Sequence, residues 1–87
     1  MNTVELIMQK LAVLDPQHIE VVDESARHIG HEGAEAGGGH YFLTVVSRQF
    51  SGKSTVVRHR LVYTALEGMM HKDIHALSVK AYTPEEI

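Results

Sequence analysis

Tyr41-Phe42-Leu43-Thr44-Val45-Val46, a turn at Ser47 to Gly52, a helical pattern from about Ser54 to Met70, then Ile74-His75-Ala76-Leu77-Ser78-Val79-Lys80-Ala81: this stretch decides the fold. The first run is apolar on both parities, which suits a central strand. On a helical projection Val57, Leu61, Val62, Ala65, Leu66 and Met69 share one half of the circumference, and Arg60, Thr64, Glu67 and His71 fall on the other. Arg58 falls within the apolar arc near the helix start, where a long cation must either reach past the core or pair with an acid. The last run alternates, which puts His75, Leu77, Val79 and Ala81 on one face of a strand. Strand, helix and strand in succession imply a parallel pair joined by a right-handed crossover.

Upstream, His18 to Ser25 alternates Ile19 and Val21 with charged neighbours, as a half-buried strand does. Ala26 to Gly39 holds five glycines and reads as a flexible loop of a hairpin, so the first two strands run antiparallel. Before them, Val4, Ile7, Met8, Leu11 and Leu14 recur at helical steps, Asn2 and Glu5 stand in capping-box spacing, and Asp15-Pro16 is a stop. Leu6 and Val13 project from the other side and read as surface. Thr83-Pro84-Glu85-Glu86-Ile87 reads as the cap and first turn of a further helix. The expected class is α+β, in the order α-β-β-α-β, with a three-stranded mixed sheet and helices packed on it. One domain over 1–87, interrupted by the loop at 26–39, accommodates all of these elements.

A chain of 87 residues buries only about 60 to 65% of its unfolded surface, too little to wall off a deep reaction chamber. This argues against a self-sufficient enzyme. Without cysteine, disulfides and thiolate chemistry are excluded, whereas seven histidines favour a nitrogen-ligand site. The formal charge of −3 opposes bulk attraction to nucleic acid. The first residues lack the order of a secretory signal, and no apolar run approaches the roughly 18 residues of a membrane span. A soluble, cytoplasmic chain is expected.

The topology places His28, His31 and His40 at the same rim of the sheet as His75, the start of the third strand, with the Ser47 to Gly52 turn at the opposite end. Two imidazoles from separate segments can hold a metal but leave its coordination open, so something else must complete it. The alternative for His75 is a strand-end residue hydrogen-bonded to backbone. Ser51-Gly52-Lys53-Ser54 suggests a phosphate loop, but that motif needs a glycine where Ser47 stands, which weighs against nucleotide binding. Arg48, Lys53, Arg58 and Arg60 form, with His59, the densest basic stretch, a candidate nucleic-acid surface or simply a solvated helix end. The nearby Phe50 reads as core. No nucleophile elbow surrounds Ser25 or Ser54.

Phe50-x-Gly52-Lys53-Ser54-x-x-x-Arg58-His59-Arg60-Leu61-Val62-Tyr63, with Ile74 to Ala81, Thr83 to Glu86, Val22 to Ser25 and Gly39 to Phe42, resembles the signature of BolA-like proteins over nearly the whole chain. The resemblance implies a fold like the second type of KH domain, though the Gly-x-x-Gly nucleic-acid clamp has no counterpart here. It further implies a monothiol glutaredoxin as heterodimeric partner and a bridging [2Fe-2S] cluster shared with that glutaredoxin and glutathione, with no cofactor in the isolated chain. The family's ligand at the start of the last strand maps to His75, and its loop ligand to His28, with His31 as alternate. Two imidazoles opposite two thiolates is similar to the Rieske arrangement, and neutral imidazole is required, so acid should loosen such a complex. The competing implication is a DNA-binding regulator of stress response and cell shape acting through Arg48, Lys53, Arg58 and Arg60.

Overall fold

A computed structural model describes residues 2–24, 39–70 and 72–87. Helix α1 (Thr3–Leu11) begins where Asn2 Oδ1 accepts the Glu5 amide at 2.8 Å, and the two side chains also meet at 3.3 Å. A 3-10 turn over Ala12–Leu14 tightens its end, and Asp15 at φ 47° takes the left-handed conformation that reverses the chain before Pro16. Ile7, Leu11 and Leu14 are buried, as their spacing predicts. The flanks differ from expectation: Leu6 packs against the core while Met8 is 42% exposed. Periodicity locates the centre of an apolar stripe, but the neighbouring elements decide which flank they cover.

The sheet contains β1 (His18–Asp23), β2 (Gly39–Val46) and β3 (Ile74–Tyr82) in that spatial order, β2 lying antiparallel to β1 and parallel to β3. The mixed, three-stranded α-β-β-α-β architecture is the one the sequence predicts. Register aligns Ile19 with Val45 and Ala81, and Val21 with Leu43 and Val79, so one face of all three strands points into a single core shared with both helices. On the opposite face Val22 and Phe42 are paired and 43% and 46% exposed. That face is closed only at the end of β2, where Val46 is buried, so the apolarity of β2 on both parities goes with its central pairing more than with cover along both faces. The strand also starts at Gly39, earlier than its apolar run suggests, because the Gly39 amide is bound by Asp73 O at 3.0 Å.

One feature of β3 overturns the expected face pattern. Gly39 pairs with Ile74 and His40 with Ala76, leaving His75 as the extra residue of a bulge. Ile74 takes the core position, fully buried, and His75 is exposed instead of sharing the face of Leu77 and Val79. Strict alternation fails there because a bulge shifts side-chain parity by one.

Helix α2 (Thr55–Ala65) starts at Ser54, whose Oγ accepts the Val57 amide. It stops short of Met70: the Leu66 amide is shared between Val62 O and Tyr63 O, and the chain tightens into a 3-10 turn at Glu67–Met69. Val62, Leu66 and Met69 are buried, but Val57, expected in the same arc, is 38% exposed. Between β2 and α2, Phe50 is buried, and Gly52 at φ 74° completes a type II turn closed by the Lys53 amide on Phe50 O. The glycine serves chain reversal, as the absence of a phosphate-loop pattern suggests.

Ser47 joins the layers. Its buried Oγ donates to Leu14 O at 2.6 Å and accepts the Gln49 amide, while its own amide reaches Tyr82 O. Arg58 makes the pairing its position requires: its guanidinium meets Glu86 through two bonds of 2.6 and 3.1 Å and donates to Ala81 O and Lys53 O. The C-terminal segment Pro84–Glu86 is a 3-10 turn held on Thr83, whose amide Glu86 also accepts.

Two stability outcomes follow from these contacts. Ser47→Ala leaves Leu14 O unsatisfied in the core and should cost about 1 to 3 kcal/mol in denaturant unfolding; an unchanged midpoint would contradict the junction. Arg58 and then the Thr83 amide hold the Glu86 carboxyl down to about 2 from 4.5. A depressed carboxylate stabilises the fold above its unfolded pKa and loses that contribution as pH falls through the folded one. Stability of the wild type should therefore decline more steeply than that of Glu86→Gln between those two values, and parallel curves would disprove the coupling.

Candidate functional site: the histidine rim

Because β2 and β3 are parallel, their first residues share one edge of the molecule. Three chain segments meet there. The Glu24 amide, just past β1, donates to His40 O at 2.8 Å, Gly39 is tied to Asp73, and Met70 forms an isolated bridge with Ile74. The backbone around the rim is thus fixed from both sides of β2.

On this frame the bulge at His75 turns an imidazole to solvent beside a fully buried Ile74. The half-buried ring of His40 lies against it, with ring centroids 5.7 Å apart and planes 13° from parallel. The structure therefore brings together His40 and His75, two of the four histidines that the topology assigns to this rim. His28 and His31 lie outside the described residues. Among the described residues no group of three or more His, Cys, Asp or Glu side chains is arranged to hold a metal. The pair can offer nitrogen donors, and with no cysteine in the chain any thiolate must come from elsewhere.

The contact of His40 with His75 is missing from the ligand assignment made on sequence. Topology places both at one edge, but the face that His75 presents depends on the bulge. The sequence carries two signals for it: a histidine directly after the glycine run on a strand parallel to a second histidine, and apolar Ile74 and Ala76 out of phase with Leu77, Val79 and Ala81, which marks a break in alternation without saying which residue is added.

The basic residues occupy the other end. Arg48 follows the last residues of β2, Lys53 precedes α2, and Arg60 lies on its first turns; all three are exposed. Arg58 differs from them, since its side chain is only 13% exposed and its charge is matched by Glu86. No helix among the described residues is long and apolar enough to cross a membrane.

Comparison with known proteins agrees with this architecture. The family model described as BolA-like protein matches residues 11–86. The BolA domain of SufE1 from Arabidopsis thaliana superposes with a TM-score of 0.82 at 42% identity, covering 100% of this chain and 99% of that one. BolA1 from the same plant gives 0.83 at 33% identity, covering 100% and 98%. Among curated relatives, SufE-like protein 1, chloroplastic/mitochondrial, of Arabidopsis thaliana is 43% identical over 85% of this chain, which spans only 21% of that protein's length. The DNA-binding transcriptional regulator BolA of Escherichia coli is 39% identical over 94% of this chain and 76% of its own. No catalytic name occurs among these matches. With the mixed sheet, the crossover helix and the signature residues all in register, this chain belongs to the BolA-like family.

Proposed function

We propose that this protein is a non-enzymatic adaptor that pairs with a monothiol glutaredoxin and contributes imidazole ligands to a [2Fe-2S] cluster bridging the two proteins. The observation that carries the reading is His75: a histidine at the start of a strand, turned out of the core by a bulge and exposed at an edge where three segments are hydrogen-bonded together. A structural histidine has no need of such a position, whereas a ligand that must reach into a partner does. The donor set fits one half of such a cluster. Nitrogen is available at the rim, the chain has no cysteine and so no thiolate of its own, and the thiolates of glutaredoxin and glutathione would supply the other half.

Within this reading the chain's residues bind and orient. The β2–β3 ladder holds the backbone on either side of His75, a loop histidine, His28 or His31, provides the second nitrogen, and a domain of this size leaves the site open to the partner. When bound, the cluster supplies one-electron redox capacity and a labile cargo that can be passed on. The protein would hold or hand on that cargo without catalysing a reaction.

A second reading is favoured by a separate observation. Relatives from Escherichia coli and Vibrio cholerae, 39% and 37% identical, are named DNA-binding transcriptional regulators, and Arg48, Lys53 and Arg60 are exposed on the segments that follow β2 and begin α2, at the end of the sheet away from His40 and His75. Arg58, already neutralised, would add little to that surface.

The first reading is tested by co-purification with a monothiol glutaredoxin and glutathione, followed by visible absorption and circular dichroism. A cluster-loaded heterodimer is expected, with the spectrum altered or lost in His75→Ala; an unchanged spectrum and lifetime in that variant would exclude His75 as a ligand. For the second, saturable and sequence-dependent DNA binding should weaken in Lys53→Ala and Arg60→Ala, each lowering the salt slope by about 1. Binding that is nonspecific throughout would count against a regulator.

A further inference from the structure

The ring contact at the rim carries an inference that rests on the adaptor reading and extends it. His75 is opposed by no residue of β2 and its side chain is exposed, so its own strand leaves its side-chain torsions free. A ring that samples several rotamers presents its nitrogens in several directions. His40 is held differently: it is half-buried, sits opposite Ala76 in the parallel ladder, and accepts the Glu24 amide through its carbonyl. Its ring meets that of His75 at 5.7 Å and 13°, within the separation at which flat rings attract in an offset stack.

We infer that His40 is a positioning residue, whose ring face holds the His75 imidazole in one orientation with its edge directed off the rim towards an incoming metal. The geometry suits this division of labour. Imidazole lone pairs lie in the ring plane, so a neighbour stacked on the face restrains the ring and leaves the edge open to coordinate. Ligating histidines elsewhere are commonly oriented by a hydrogen-bonded carboxylate or carbonyl. Here a stacked ring on the adjacent strand takes that part.

Two substitutions separate the flat ring from its nitrogens: His40→Phe keeps the former and His40→Ala removes both. In the isolated protein, NMR should show the His75 ring protons displaced by the neighbouring ring current, a displacement lost in His40→Ala and kept in His40→Phe. In the complex with monothiol glutaredoxin and glutathione, His40→Ala should shorten the lifetime of the visible dichroism signal at least about ten-fold, while His40→Phe stays within about two-fold of wild type. Far-UV dichroism establishes that each variant is folded, and His40→Leu replaces His40→Ala if the latter is not. His75 resonances indifferent to His40→Ala would overturn the inference. So would equal loss of the signal in both variants, which would make His40 a nitrogen ligand. A signal indifferent to His75→Ala, with the ring-current displacement intact, would instead overturn the ligand assignment, and with it the purpose of the stack.

Discussion

The parallel ladder between β2 and β3 sends both strands away from one edge of the molecule, and that direction decides which residues can meet. Reversing either strand would carry His75 to the far end, beside Arg48 and Lys53. The crossover through α2 enforces the direction, since a helix returning along the sheet leaves the next strand to start where the previous one did. Ser47 secures the arrangement by joining the turn after α1, the end of β2 and the end of β3 through two hydrogen bonds, to Leu14 O and Tyr82 O.

This topology separates two kinds of surface. At one end stand the imidazoles of His40 and His75, a residue type that ligates metals when neutral. At the other are exposed cations near the start of α2, suited to phosphate or acidic partners. Arg58 belongs to neither surface: Glu86 and two carbonyls use its charge to hold the C-terminal turn against α2 and β3. A dense basic stretch in sequence thus divides, in space, into an internal clamp and a smaller open patch.

Much of the fold was legible because it rests on local chemistry. The Asn2 cap, the apolar spacing of Ile7, Leu11 and Leu14, the alternation of Ile19 and Val21 and the buried Phe50 all appear as read. Errors arose where packing chooses among equivalent local options. Met8 and Leu6 flank the same stripe, and Val57 lies on the expected arc of α2, yet only their neighbours determine which is covered. That His40 and His75 share an edge was legible, but not the stacking of their rings, because it depends on a bulge whose added residue the sequence does not single out.

By itself the sequence determined the order of elements, the parallel direction of β2 and β3, the lack of any thiolate ligand and the placement of His40 and His75 at one edge; each follows from residue type and from the short range of connections. Only the tertiary structure decided that Ile74 rather than His75 enters the core, that His40 stacks on the ring so released, and that Arg58 is bound to Glu86. The reason is physical. Periodicity describes what one strand or helix would bury if it met a flat apolar neighbour, whereas bulges, ring contacts and ion pairs across 28 residues of chain arise from the fit between elements.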